Sequence, residues 1–207
     1  MFPRILREEA ERLSLEFPEG PAVAGMEIHF RLLRKWNHRL NLTAVRDERE
    51  IARRHFLEAI QASPHLSPTG PLLDLGSGNG FPGVPIKLLN PRISLTVVDS
   101  SEKKCSFLKE LFRALDWDVS GVVCRRVKEP ADLQGLGKFR SIVMRGVKPT
   151  GKLLRVLLDR LQPDGTLMIF LGKGQIDPVR AALGDAATLD PVPMAGPQAS
   201  FMGIIRP

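Results

Sequence analysis

Leu72-Leu73-Asp74-Leu75-Gly76-Ser77-Gly78-Asn79-Gly80-Phe81-Pro82-Gly83-Val84-Pro85-Ile86 is the stretch that decides the fold. An apolar run ends in an acidic residue, glycines follow at alternate positions, and prolines stand where a helix begins. Glycines let the main chain approach a ligand closely, and a helix N-terminus offers unpaired N–H groups beside it. The stretch therefore predicts a strand, a tight turn and a helix start that together cradle a nucleotide-like cofactor.

The chain after Pro71 alternates apolar strands with amphipathic helices, which indicates a parallel sheet with crossover helices. We predict a doubly wound, mostly parallel α/β sheet of the Rossmann-like class. Its predicted strands are 71–75, 93–98, 119–124, 139–144 and 165–171, with helices at 83–89, 101–115, 150–161 and 176–183. Residues 188–192 and 201–205 are expected to form antiparallel edge strands.

The chain before Pro71 has a different pattern, in which apolar residues recur at helical spacing. Helices are predicted at 1–16, 22–40 and 48–60. We therefore expect a helical N-terminal extension, residues 1–65, followed by a cofactor-binding domain, residues 66–207.

The composition is that of a globular protein, with 207 residues, of which 43% are hydrophobic and 26% charged. The net charge is +7, and between residues 138 and 173 eight basic residues face only Asp159 and Asp164. This surplus favours an anionic partner such as a nucleic acid, although a solvated charged face is the alternative. No apolar run is long enough to span a bilayer and the N-terminus lacks a signal peptide's apolar core, so we expect a cytoplasmic protein without membrane contact.

Cysteine and histidine spacing predicts neither a disulfide framework nor a metal site. Cys105 and Cys124 are expected to be reduced thiols, and Cys124, which closes an apolar strand, to be inert core.

Two overlapping glycine patterns leave two cofactors open. Gly78-Asn79-Gly80-Phe81-Pro82-Gly83 matches the dinucleotide pattern, so an NAD(P)-dependent oxidoreductase is one interpretation. An acidic residue followed by alternating glycines is typical instead of S-adenosylmethionine sites. Asp74 at the mouth of the loop would favour a cationic sulfonium over a pyrophosphate. Asp99 ends the next strand about 20 residues on, where a carboxylate accepts hydrogen bonds from ribose hydroxyls.

The end of the fourth strand, residues 142–149, lacks the Asn-Pro-Pro-aromatic or Asp-Pro-Pro-aromatic element used to methylate exocyclic amines. An acceptor that needs no deprotonation, such as guanine N7, fits best. Catalysis would then rest on proximity, with no side chain as catalytic base. Arg145, at this strand end, is expected to position the acceptor.

The chain resembles the RsmG family, also called glucose-inhibited division protein B. The resemblance is carried by Trp36-Asn37-His38-Arg39-Leu40-Asn41-Leu42-Thr43-Ala44-Val45, by Glu50–Phe56, by the loop from Asp74 to Pro85, and by Asp99-Ser100 with Lys103, Lys104, Phe107 and Leu108. It implies an S-adenosylmethionine-dependent methyltransferase that modifies guanine N7 in the 530 loop of bacterial 16S ribosomal RNA. Naked rRNA or the 30S subunit is then the partner, and we expect the protein to be a monomer.

The glycine loop, the strand end at Asp99 and the basic helical face supply some of the expected site residues, and the resemblance implies the others, Gly76, Phe81, Val127, Lys128, Arg145 and Lys173. The expected cofactor-binding residues are Gly76, Gly78, Gly80, Phe81, Asp99, Val127, Lys128 and Arg145, and the expected substrate-binding residues are Arg54, Arg145 and Lys173. Phe81 would contact the cofactor through its main chain, and Val127 and Lys128 would lie beside the adenine.

Four residues at three sites depart from the family pattern. Lys128 replaces a usual acidic residue, Arg140 a common Asp, and Glu58-Ala59 the usual Asp-Ser. Lys128 puts a side-chain contact to adenine in doubt, whereas main-chain contacts would survive. A non-catalytic rRNA-binding protein of the same fold is a further alternative.

Several polar and aromatic residues of the N-terminal helices have two interpretations. Trp36 and Asn37 would stack on and bind an RNA base, but Trp36 lies on the apolar stripe of its helix, which favours core packing. Asn41 and Thr43 are expected in caps and turns. Arg53, Arg54 and His55 would bind phosphates or form a solvated face, and His55 would alternatively hydrogen-bond to the cofactor domain.

Overall fold

The computed structural model describes residues 1–40, 42–196 and 200–207, with only the backbone for residues 38–40. Its centre is a seven-stranded sheet in the order β3-β2-β1-β4-β5-β7-β6. The strands are β1 Gly70–Leu75, β2 Ile93–Asp99, β3 Val122–Cys124, β4 Phe139–Met144, β5 Leu161–Gly172, β6 Thr188–Pro193 and β7 Ser200–Arg206.

Eight α-helices surround this sheet or precede it in the described part of the chain. They are α1 Phe2–Arg12, α2 Pro21–Leu40, α3 Glu48–Ile51, α4 Glu58–Ala62, α5 Gly83–Leu89, α6 Glu102–Ala114, α7 Gly151–Leu158 and α8 Ile176–Leu183. Among the described residues, no helix is both long and apolar enough to cross a membrane.

The first five strands run parallel, and β7 pairs antiparallel with both β5 and β6. The predicted α/β class and the antiparallel edge are therefore confirmed. The chain passes from β1 outward to β2 and β3, then returns to β4 on the other side of β1. This reversal leaves a crevice at the carboxyl ends of β1 and its neighbours, where open α/β sheets bind ligands.

Element boundaries differ from the prediction where local conformation changes. The strand expected at 119–124 keeps only Val122–Cys124, because residues 119–121 form a 3-10 turn. The helix expected at 48–60 contains a π-helical segment, Ala52–Leu57, between α3 and α4. Apolar periodicity does not reveal such a change in hydrogen-bonding pattern.

The N-terminal helices pack against one face of the sheet and share its core. Phe2, Leu6 and Phe56 belong to the same cluster of buried side chains as Phe107 and Val97. Phe2 stacks on Phe30 with ring centroids 3.8 Å apart. The helical segment is thus continuous in packing with the sheet, and the division at residue 65 stays a prediction.

A buried carboxylate ties α1 to the helices that follow α2. Glu9 is 1% exposed, and its oxygens lie 2.6 Å from Arg49 Nη1, 2.8 Å from Arg53 Nη1 and 3.2 Å from Arg12 Nη1. Burial alone would raise the pKa of Glu9, but hydrogen bonds from Arg53 and Arg49 outweigh it and hold the pKa below its ordinary value. Arg53 therefore links α1 to the helical segment after α2. This structural role accounts for an arginine at position 53 without the predicted contact to a phosphate.

The expectation of two reduced cysteines, one of them core, is wrong. Cys105 and Cys124 form a disulfide with Cα atoms 5.8 Å apart. The first turns of α6 place Cys105 opposite the last residue of β3, and Cys124 there is exposed. The separation of the two cysteines along the sequence, 19 residues, did not reveal this pairing, because the pairing depends on how α6 packs against β3.

Glu9→Gln should destabilise the protein by about 2–3 kcal/mol at pH 7, because it leaves Arg49 and Arg53 without their shared carboxylate. Since the pKa of Glu9 is lowered by folding, its stabilisation is present above the unfolded pKa and is lost as pH falls through the folded one. Urea unfolding at pH 7 and at pH 3 measures both effects, and the difference between variant and wild type should shrink at pH 3.

The exposed Glu11 on the same helix supplies the control. Glu11→Gln should change the free energy of unfolding by less than about 0.5 kcal/mol. An equal loss in both variants would contradict the role given to Glu9.

Candidate active site

Asp74, at the end of β1, holds the glycine loop in shape. It is fully buried, and its Oδ2 accepts hydrogen bonds from Ser77 Oγ at 2.7 Å and from the Gly83 N–H at 3.0 Å. Burial raises the pKa of Asp74 to about 6, against these hydrogen bonds and the charge of Arg145. The expectation that Asp74 stands at the mouth of the loop is therefore wrong: it lies behind the loop and joins its two ends.

Asp99 makes the second link to the loop. One carboxylate oxygen accepts the Gly78 N–H and the other the Ser101 N–H, both at 2.9 Å. Lys104 Nζ lies 4.0 Å from the same carboxylate. Asp99 thus joins the loop after β1 to the start of α6, at the edge of the pocket where a ribose would lie.

A pocket of about 530 Å³ opens at the carboxyl ends of β1, β2 and β3. Gly76, Asp99, Val127 and Lys128, four of the residues expected to bind the cofactor, line it. Gly76 has φ of +71°, and a Cβ there would overlap Val147 Cγ2, so only glycine fits between strand end and pocket wall.

Phe81 is clamped by two histidines of the N-terminal helices. Its ring stacks on His29 with centroids 4.3 Å apart and on His55 with centroids 4.8 Å apart, while Phe56 meets its edge. His29 Nε2 also lies 2.6 Å from the carbonyl oxygen of Asn79. The ring is therefore core, and only the Phe81 main chain remains for a ligand.

Both clamping histidines are neutral at pH 7. Burial lowers the pKa of His29 to about 4. Burial, with the charge of Arg145 second, lowers the pKa of His55 to about 3. Since Arg145 Nη2 donates to His55 Nδ1 at 3.0 Å, the imidazole proton is on Nε2, which lies 3.4 Å from Thr43 Oγ1. The alternative interpretation of His55, as a hydrogen-bonded partner of the cofactor domain, is confirmed, with Arg145 as the donor.

Arg145 is anchored rather than free. Besides His55, its Nη1 lies 3.1 Å from Glu58 Oε2, and both side chains are largely buried. Burial raises the pKa of Glu58, partly offset by Arg145. Arg145 follows β4 at the switch point of the sheet, but it is not among the described residues that line the pocket, so its contact with a cofactor stays a prediction. Glu58, which replaces the usual Asp of the family, retains a carboxylate that pairs with Arg145.

Arg54 and Lys173, the remaining expected substrate residues, also lie outside the pocket lining. Arg54 pairs with Glu50 at 3.1 Å on a partly exposed helical face. Lys173 is exposed in the turn after β5, on the far side of β4 from the pocket. Gly80 packs against His29 instead of lining the pocket, with an ideal Cβ position 3.2 Å from His29 Cε1.

Trp36, Asn37 and Thr43 of the WN…NLTA element make structural contacts. Trp36 packs edge-on against Phe107, which confirms the core interpretation. Asn37 Oδ1 accepts the Thr43 N–H at 2.8 Å, and Thr43 Oγ1 accepts the Val45 N–H at 3.1 Å, a turn role as predicted. Asn41 lies outside the described residues.

Two departures from the family pattern have structural explanations. The N–H of Lys128 donates to Asp132 Oδ2 at 2.7 Å, so this main-chain donor is already occupied. The Lys128 side chain is exposed at the pocket. Arg140 donates to the Pro163 carbonyl at 2.8 Å near the start of β4, at the end of the sheet away from the pocket.

Some residues of the site were not predicted from the sequence. His29 stood out by no motif, because its role depends on packing between α2 and the glycine loop. Arg125, Arg126, Lys148 and Lys152 also line the pocket. Their signal was present: each follows closely after a strand whose carboxyl end meets the pocket.

The residues present fit S-adenosylmethionine in shape. The pocket volume lies in the range of small-molecule sites, the main chain at Gly76 is accessible where a Cβ would fill the cradle, and Asp99 offers carboxylate oxygens to a ribose. The fit in charge is less simple, since five cationic side chains line the same pocket.

Comparisons with known proteins agree with this geometry. Residues 23–192 match the family described as GidB, rRNA small subunit methyltransferase G. A protein of that name from Anaeromyxobacter dehalogenans is 33% identical over 94% of this chain and 88% of its own length. Another from Geobacter metallireducens is 37% identical over 69% of this chain and 64% of its own length. The crystal structure of a methyltransferase from Pyrococcus furiosus has the same fold, with a TM-score of 0.60, 11% identity and coverage of 87% of this chain and 95% of that one.

His29→Gln should weaken the dependence of stability on pH. Because folding lowers the pKa of His29 from 6.5 to about 4, the unfolded chain binds one more proton in this window, and stability is lost as pH falls through it. Removing the imidazole should reduce the slope of unfolding free energy against pH by about 1.4 kcal/mol per unit. Urea unfolding from pH 7 to 4.5 measures the slope.

The exposed His65 is the matched control, and His65→Gln should keep the wild-type slope. Asp74 has a raised pKa and therefore contributes to the slope with the opposite sign. Because Asp74 is present in both proteins, the difference in slope between His29→Gln and wild type reports on His29. A His29→Gln slope equal to that of wild type would show that folding does not lower the pKa of His29.

Asp99→Ala should weaken binding of S-adenosylhomocysteine by about 10- to 100-fold, since the Gly78 and Ser101 N–H groups lose their charged acceptor. Isothermal titration calorimetry measures the affinity. Glu102→Gln, a change at an exposed carboxylate in the first turn of α6, is the control and should bind as wild type does. Unchanged affinity in a folded Asp99→Ala protein would remove Asp99 from the cofactor site.

Proposed function

This chain belongs to the rRNA small subunit methyltransferase G family, and we propose that it transfers a methyl group from S-adenosylmethionine to N7 of a guanine in the 530 loop of bacterial 16S rRNA. The family makes it a methyltransferase of small-subunit rRNA that uses S-adenosylmethionine. The acceptor atom and its loop are the specific part of the proposal. The family also decides against the nicotinamide-dependent oxidoreductase.

One observation supports the acceptor chemistry most directly. The side chain that follows β4 is that of Arg145, two residues before Val147 of the pocket wall, and its guanidinium is held by Glu58 and His55. An arginine has no basic lone pair, so it serves to orient a base or phosphate and not to remove a proton. His55 is neutral, but its Nδ1 already accepts from Arg145.

Guanine N7 suits such a site because its lone pair is free at neutral pH. When bound, S-adenosylmethionine would supply a methyl group on a cationic sulfur, which N7 accepts without losing a proton. Gly76, Asp99 and the residues after β3 would hold the cofactor, and Arg145 would orient the guanine. Alignment then provides the rate enhancement, with no general base.

The proposal extends to partners and place of action. Its substrate is 16S rRNA, either free or within the 30S subunit, and the protein acts as a monomer in the cytoplasm. The basic surplus of the chain, with a net charge of +7, supports an RNA partner. Arg54 and Lys173 are proposed as more distant phosphate contacts at the two sides of the site.

The proposed modification is tested by mapping 7-methylguanine in 16S rRNA from cells with and without the gene. The mark in the 530 loop should be absent without the gene and return when the wild-type gene is supplied. Arg145→Ala should restore at most a small fraction of it, and Lys138→Ala, at the start of β4, should restore it fully. Persistence of the mark without the gene would refute the proposal.

A further inference from the structure

Five exposed cationic side chains line the cofactor pocket on two sides. Arg125, Arg126 and Lys128 follow β3, and Lys148 and Lys152 follow β4. We name these five residues the basic rim. Among the described residues that line the pocket, Asp99 is the one carboxylate.

Most of the charge of the basic rim is unpaired within the described part of the protein, although the carboxylate of Asp132 offsets part of the charge of Arg125 and Lys128. There the side chains of Arg126, Lys128, Lys148 and Lys152 take part in no ion pair. Arg125 donates to a main-chain carbonyl, that of Asp132, at 2.8 Å. The charge of Asp99 is already offset by Lys104.

This surplus conflicts with the charge of the cofactor. S-adenosylmethionine carries one net positive charge at neutral pH, whereas S-adenosylhomocysteine carries none. Like charges across a solvated pocket weaken binding, so the basic rim disfavours the methyl donor relative to the product. Negative charge brought to the pocket by a second ligand would therefore increase the affinity for S-adenosylmethionine.

We propose that the basic rim binds phosphate groups of the RNA that flank the target guanine, so that RNA and S-adenosylmethionine bind cooperatively. This inference rests on the proposed function, since it takes the RNA substrate from there. Phosphate contacts fix the position of a nucleic acid without reading its sequence, which suits side chains on exposed segments beside the reacting atoms.

The coupling is reciprocal. RNA phosphates on the basic rim raise the affinity for the cationic donor, and the donor raises the affinity for RNA by the same factor. The neutral product gains less from the phosphates. Replacement of donor by product thus loosens the hold on RNA, which favours release after transfer.

The test reverses two charges, one on each side of the pocket, in the variant Lys128→Glu/Lys152→Glu. The control, Lys109→Glu/Lys138→Glu, makes the same change in net charge on exposed side chains of α6 and the start of β4. The RNA probe is a 530-loop hairpin made with 7-deazaguanosine in place of guanosine. It has no N7, so binding is measured without transfer.

Two measurements decide the outcome. The slope of log affinity for RNA against log salt should fall by about 1–2 in the rim variant and by less in the control. Calorimetry should show that RNA strengthens donor binding about 3- to 10-fold more than product binding in wild type, and that the rim variant loses this difference. Without RNA, the rim variant should bind the donor several-fold more tightly than wild type does.

If the rim and control variants behave alike in both measurements, the inference is overturned. Lys128→Gln/Lys152→Gln provides a milder change if the glutamate variant does not fold, and it should shift both quantities in the same direction. The proposed function fails separately: it fails if wild-type enzyme forms no 7-methylguanine on ordinary rRNA, whatever the salt slope. Product formation together with an unchanged salt slope would refute the basic rim alone.

Discussion

The stacking of Phe81 between His29 and His55 connects the two parts of the molecule. Three glycines of the loop before it, Gly76, Gly78 and Gly80, have positive φ and no side chain to pack, so the shape of the loop depends on anchors at its two ends. Asp74 supplies an anchor from beneath, and the Phe81 ring supplies the other from the helical side. A cofactor loop that is rigid in this way exists only when the N-terminal helices are packed on the sheet. The helices thus belong to the cofactor site although they do not line it.

The same helical segment reaches the acceptor side. His55 lies in the π-helical segment and Glu58 begins α4, and together they hold the guanidinium of Arg145. His55 contacts both Phe81 and Arg145, so the positions of the cofactor loop and of the acceptor residue are fixed by one imidazole. Its neutrality is essential to this arrangement, because a protonated His55 could not accept from Arg145.

The sequence predicted what depends on local pattern. The order of the strands' appearance, the glycine turn and the placement of Asp99 follow from apolar runs and motif spacing, and the structure agrees. The interactions of Glu9, His29 and Cys105 were not predictable, because each joins segments far apart in the chain through packing. Arg145 combines the two cases: its position at a strand end was predictable from the sequence, but its ion pair with Glu58 was not.

The prediction of S-adenosylmethionine was correct, but the position given to Asp74 in support of it was wrong. The sulfonium cofactor was favoured because Asp74 was expected at the mouth, yet Asp74 is buried and engaged with the loop itself. The charges that face the pocket are mostly cationic. Electrostatic preference for a cationic donor therefore does not arise from Asp74 at the pocket of the free protein. In the proposed complex, RNA phosphates bound to the basic rim would supply the negative charge that such a preference needs.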